Sequence, residues 1–152
     1  MFKNLQRFTK QITNEFIRDF TAFGDLLVIL FLSFIILEIK DFIFVFLGLV
    51  FIQIICYGIK AVFFKERPNK EKHNSFLEKI NASSFPSIHT ARATFVYTAW
   101  FFFTNYQFKV LFLLLILIVA LTRVFLKKHY KIDVVAGFIL GIIVFFAMFK
   151  LI

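Results

Sequence analysis

One cysteine, Cys56, stands in 152 residues, so no intrachain disulfide can form and cysteine usage assigns no redox compartment. Glycine-rich phosphate loops are absent, as are internal repeats and low-complexity linkers, which sets aside nucleotide-cradling loops and repeat architectures. Acidic residues are few: nine Asp and Glu stand against eighteen Lys and Arg, a formal charge of +9. In a water-soluble chain that excess would suggest nucleic acid. The cations gather instead in residues 1–20, 60–92 and 123–131, and no aromatic–basic recognition module accompanies them. The expected partners are an anionic lipid surface or a phosphorylated ligand, and no nucleic acid.

What the chain has in plenty is apolar side chain. It is 61% hydrophobic, with 26 phenylalanines and a mean hydropathy of +0.85, against roughly 45–50% apolar residues in soluble domains. Residues 42–59, 93–108 and 134–149 carry no charge over most of the ~20 residues that cross a hydrocarbon core. Two further runs qualify with help from their flanks, residues 20–37 if Asp25 lies near the interface and 110–122 if Lys109 and Arg123 snorkel outward. Lipid does not tolerate unpaired backbone groups, and barrel-type alternation is missing. The runs therefore predict an all-α integral membrane bundle of five transmembrane helices, a multi-pass protein of the cell membrane forming one domain over residues 1–152.

Residues 1–20, MFKNLQRFTKQITNEFIRDF, have no continuous apolar core and are not expected to be a signal peptide. Phe2, Leu5, Phe8, Ile12, Phe16 and Phe20 recur every three or four positions with Lys3, Arg7, Lys10, Asn14 and Arg18 between them. That pattern predicts an amphipathic helix lying on the membrane surface. Residues 65–84 are the longest polar stretch, expected to form a surface loop with a short helix around 74–80.

A few polar residues stand out against this background. Lys60 and Arg67 are seven apart and would share a face if the second span continued past the membrane boundary, with Pro68 ending it. Pro86 suits a first helical turn, so Ser87, Ile88 and His89 would present backbone N–H groups at a helix N-terminus, an anion seat. Thr122 and Arg123 end the fourth span, and His129 follows with Asp133 four residues on, a spacing that puts both on one face of a helix. Five spans bring all of these groups to one side of the membrane. Three cations and a helix N-terminus suit a phosphoryl group, while two histidines and a carboxylate supply nucleophilic and acid–base chemistry.

KAVFFKERP at 60–68, PSIH at 86–89 and TRVFLKKHYKID at 122–133 resemble the three motifs of the type 2 phosphatidic acid phosphatase family, in spacing as well as in residues. The resemblance implies a metal-independent phosphatase without cofactors, acting on a lipid phosphomonoester or diphosphate through a phosphohistidine intermediate. Phosphatidate, phosphatidylglycerophosphate and isoprenoid diphosphates all fit. By the same resemblance His129 is the nucleophile, Asp133 orients it and His89 is the general acid, while Lys60, Arg67, Ser87, the backbone N–H of Ile88 and Arg123 clamp the phosphate. Two positions depart from the family pattern, Ile88 where glycine is usual and Thr122 where serine is.

Neighbouring residues have plainer readings. Lys65, Lys70, Lys127 and Lys128 read as interfacial anchors, Tyr97, Trp100 and Tyr130 as interfacial or packing aromatics, and His73 as solvated. Gly137 and Gly141 form a small-xxx-small pair that lets another helix come close, in the same chain or in a homodimer. Two other functions would use the same groups: transfer of the phosphoryl group to an alcohol, and non-catalytic binding or transport of a lipid phosphate. Retention of both His89 and His129 favours catalysis.

Overall fold

The computed structural model describes residues 22–70, 74–104, 107 and 109–151. The amphipathic helix expected over residues 1–20, and His73, lie outside the described residues. A 3-10 turn at Ala22–Gly24 leads into six α-helices: α1 (Leu26–Ile36), α2 (Ile39–Val62), α3 (Phe76–Ala82), α4 (Ile88–Phe103), α5 (Lys109–Phe125) and α6 (Lys131–Phe149). Among the described residues there is no strand, and the chain is all-α as its sequence predicts.

Helix boundaries have local causes. Asp41 in the first turn of α2 and Lys60 in its last complement the helix dipole. The short α3 is capped where the Ser75 hydroxyl accepts from Glu78 N–H (3.2 Å) and the Glu78 carboxylate accepts from Asn74 N–H (2.7 Å). α4 stops where Thr104 folds its hydroxyl back onto the Trp100 carbonyl (2.7 Å). α5 ends in a tight turn in which Lys127 takes a left-handed φ of 54°.

α4 is the centre of the bundle. Its buried residues run almost unbroken from Ile88 to Trp100, and α2, α5 and α6 pack around it. Small residues make so close a wrapping feasible. A Cβ at Gly137 would lie 2.4 Å from the Ser87 carbonyl oxygen, and one at Gly141 2.6 Å from that of Ala91, so this pair serves packing within the chain. On the other side Gly48 of α2 receives the Phe95 ring, which stacks on Phe44 and meets Phe145 edge-on. Trp100 and Tyr97 are packing aromatics: Trp100 Nε1 donates to Ser33 Oγ (3.1 Å), which donates to the Ile29 carbonyl (2.6 Å), and Tyr97 OH donates to the Phe23 carbonyl (2.8 Å). The polar ends of these two aromatics and the Ser33 hydroxyl are thus each paired.

The outside of the bundle is also apolar. Phe31, Ile54, Leu113, Leu117, Ile139 and Ile143 are each at least 50% exposed. Among the described residues two helices, α2 with 24 residues and α6 with 19, are long and apolar enough to cross a membrane. α1, α4 and α5 have 11, 16 and 17 residues, short of the ~20 that cross a hydrocarbon core. Helix length therefore supports two spans where the charge-free runs predict five. The difference arises at the ends: within the described part of the run at 20–37 the α-helix starts only after Asp25, and the run at 93–108 is shifted, its helix starting at Ile88 and stopping at Phe103.

Gly137→Val forces α4 and α6 apart and is expected to cost about 1–3 kcal/mol, read as a lower melting temperature in detergent. Gly58→Ala, where an added Cβ meets nothing within 4 Å, is expected to be neutral or slightly stabilising.

Candidate active site

Lys60 lies on the last turn of α2, but the helix stops at Val62 and Arg67 sits on the connection beyond it. The two do not share a helix face as predicted, and Pro68 is not what ends the helix. The cause is a pairing with residues 83–84. Ser84 N–H donates to the Lys65 carbonyl (2.8 Å), Lys65 N–H to Ser83 Oγ (3.3 Å), and Ser84 Oγ to the Glu66 carbonyl (3.1 Å). Phe63 meets the Phe85 ring edge-on alongside. Ser83 and Ser84 are fully buried, so the end of the expected surface loop belongs to the interior.

This buried turn gathers the cations. Lys60 Nζ donates to the Ser83 carbonyl (2.8 Å) and Arg67 Nη2 to that of Asn81 (2.6 Å). Arg123, buried at the end of α5, offers its carbonyl to the N–H groups of both Lys128 and His129 (3.2 Å each), which folds His129 back beneath it. The field of Arg123 reaches Lys60, His89 and His129, and those of Lys60 and Arg67 also reach His129. The three motif cations and both histidines are thus brought together. Thr122 turns its hydroxyl to the Val119 carbonyl of its own helix (2.8 Å).

His129 is almost wholly buried, and its Nδ1 lies 2.6 Å from the Ser84 carbonyl. A carbonyl only accepts, so Nδ1 carries the hydrogen and Nε2 keeps its lone pair. Burial first, then the positive charges of Arg123 and Lys60, push the pKa of the ring down to about 2. His129 is therefore neutral. Asp133 stands 3.9 Å from Nδ1, beyond hydrogen-bonding distance. The two residues do not sit on one helix as their spacing suggests, because α6 begins at Lys131 and His129 precedes it. Asp133 Oδ2 accepts from Tyr130 N–H (2.8 Å), closing the helix N-terminus, and Oδ1 pairs with Lys65 Nζ at 2.6 Å.

Ser87 precedes α4 as its N-cap residue and Pro86 lies one further out, not in the first turn. Ser87 N–H donates to the Asp133 carbonyl (3.0 Å), so of the three expected donors this one is taken. Its hydroxyl bonds to Thr90 Oγ1 (2.9 Å) and does not cap the helix. Ile88 is the first helical residue, and its φ is not in the left-handed region, so a β-branched side chain fits where the family has glycine. His89 follows, with Nε2 2.8 Å from Asp25 Oδ1. That bond, more than any other influence, holds the Asp25 carboxyl below its ordinary value.

Several site neighbours escape motif reading. Lys65, which reads as an anchor, holds the buried Asp133 and packs over the Tyr130 ring at 4.7 Å. Asp25 looks like a flaw in an apolar run. Arg92, inside α4, is buried and hydrogen-bonds Gln53 of α2. Only an ionisable residue within an apolar segment signals the last two.

Lys65→Met leaves the Asp133 carboxylate without its cation and is expected to lower stability by about 1–3 kcal/mol. Lys70→Met removes only the exposed pair with Glu66 and should leave the melting temperature unchanged. Thermal unfolding of the two variants side by side checks the contrast.

The fold is similar to that in the crystal structure of Aquifex aeolicus LpxE, with a TM-score of 0.74 and 22% sequence identity over 91% of this chain and 86% of that one. No curated protein matches the chain significantly. The family model described as PAP2 superfamily matches residues 23–152, a range that contains the three motifs and every helix from α1 to α6. The chain belongs to the PAP2 superfamily.

Proposed function

We propose that the protein is an integral membrane phosphatase that hydrolyses a lipid phosphomonoester or diphosphate through a phosphohistidine on His129. One observation carries this reading: the buried His129 is bonded through Nδ1 to the Ser84 carbonyl, which leaves Nε2 its lone pair, and burial together with the fields of Arg123, Lys60 and Arg67 lowers its pKa. A lone pair facing a cluster of cations suits attack on an anionic phosphorus centre.

In this mechanism the phosphate oxygens are held by Lys60, Arg67, Arg123 and the N–H groups that open α4. Nε2 of His129 attacks phosphorus, forming a P–N bond as the P–O bond to the lipid breaks. His89 gives its proton to the departing oxygen. The ring of His129 then carries a positive charge, which the Ser84 carbonyl and the Asp133 carboxylate nearby stabilise. Water next attacks the phosphohistidine and its proton goes to His89, releasing inorganic phosphate and returning His129 to its neutral form. Three protein cations supply the charge that metal ions supply to many phosphoryl transfers, so no metal is required. The length of α2 and α6 and the apolar exterior support a bilayer setting, with α1, α4 and α5 completing a five-helix bundle.

Purified protein in detergent is expected to release inorganic phosphate from a panel of lipid phosphates and diphosphates. His129→Ala should abolish turnover while the bundle stays folded, and wild-type rates in that variant would remove its nucleophilic role. EDTA should leave the rate intact, whereas strong inhibition reversed by a divalent ion contradicts the metal-free mechanism. Binding without phosphate release indicates a lipid-phosphate binder, and phosphorylated products with added alcohols indicate a transferase.

A further inference from the structure

Asp25 belongs to none of the three motifs, yet its Oδ1 lies 2.8 Å from Nε2 of His89. A carboxylate only accepts, so Nε2 carries a hydrogen, and Nδ1 is left as the nitrogen that gains and releases a proton. Nδ1 is buried and has no hydrogen-bond partner within the protein. No protein group competes with a substrate oxygen for it.

The turn that carries Asp25 is fastened to α4 beside this ring. Tyr97 OH donates to the Phe23 carbonyl at 2.8 Å. Gly24 sits so close that a Cβ there would lie 3.3 Å from His89 Cβ and 2.8 Å from Val119 Cγ1 of α5. Two anchors therefore bring a carboxylate from outside the motifs onto one ring nitrogen. Burial above all, and then the cations Arg123 at the end of α5 and Arg92 on α4, oppose a proton on the ring and hold its pKa below the ordinary value. Asp25 is the anion that works against them, through its hydrogen bond and its charge.

We infer that Asp25 is a positioning residue for His89, fixing Nδ1 as the proton-delivering atom and stabilising the doubly protonated imidazolium that a general acid needs. This rests on the reading of His89 as the acid that protonates the leaving oxygen. Asp25 touches no reacting atom. Its effect passes through the ring, much as carboxylates that hold a metal-bound histidine by its far nitrogen act on the metal.

General-acid assistance matters most when the leaving oxygen is a poor leaving group, and this gives the test. Turnover of wild type, His89→Ala, Asp25→Asn, Asp25→Glu and the Asp25→Asn/His89→Ala double variant is measured on two detergent-dispersed probes. One is dioctanoyl phosphatidate, with an alkyl leaving group, and the other is p-nitrophenyl phosphate, with an activated one. Asp25→Asn is expected to lower kcat on phosphatidate on the order of 10–100-fold with KM little changed, and on the aryl ester by less than about threefold. Its kcat profile should lose activity at lower pH than wild type on the basic side, since the imidazolium is less favoured. Asp25→Glu should recover most of the loss, Tyr97→Phe should show a weaker form of the same leaving-group dependence, and the double variant should be no slower than His89→Ala. Should His89→Ala slow both probes alike, the acid role of His89 fails and the function reading with it. Should His89→Ala discriminate between the probes while Asp25→Asn slows both equally or neither, the acid role stands and the assignment of Asp25 is overturned.

Discussion

The geometry of the site depends on one buried carboxylate. Asp133 holds Lys65 through Oδ1, caps α6 at Tyr130 N–H through Oδ2, and takes Ser87 N–H on its backbone carbonyl. One residue of the third motif thereby fixes a lysine inside the first and the serine of the second. A buried charge without partners is costly, so each of these bonds is held by the penalty of losing it. The Ser83–Ser84 turn works on the same principle. Its backbone groups are out of water and must be paired: Ser83 N–H closes α3 on the Lys79 and Ile80 carbonyls, and the others go to Lys60, Lys65 and His129. Between them, one carboxylate and one turn position His129 and Lys60, the proposed nucleophile and part of the proposed clamp.

The motifs are legible in sequence because each is compact: Lys60 and Arg67, Ser87 to His89, and Arg123 to Asp133 each fall in a stretch short enough for spacing to carry meaning. Partner choice is not compact. The spacing of His129 and Asp133 suggests a shared helical face, yet the carboxylate caps the helix that begins between them and leaves His129 to Ser84, 45 residues earlier. Serines in a polar stretch read as solvent-exposed. Ser83 and Ser84 are buried because residues 63–66 satisfy them, a pairing no local window contains. Asp25 escapes for the same reason, its partner being 64 residues away.

The fold class followed from the apolar runs, but helix lengths did not, because a charge-free run records where charges are rather than where a helix starts. The start of α4 is set by its neighbours. Gly137 and Gly141 bring α6 against the first turns of α4, so the Ser87 carbonyl meets α6 directly while Ser87 N–H reaches Asp133. Helix packing and active-site geometry are one arrangement at this corner, and the close approach that glycine permits is what brings the second motif to the third.

Buried cations need a reason, since desolvating Lys60 and Arg123 is expensive. A phosphate among them would offset that cost, and it would do so most where negative charge accumulates on the equatorial oxygens in the transition state. The same cations act on His129. Their fields, added to burial, keep a proton off a ring that would otherwise bind one near neutrality. In the proposed mechanism, attraction of the anion and readiness of the nucleophile therefore share a source: a site with fewer positive charges would hold phosphate less well and would leave burial alone to keep the proton off His129.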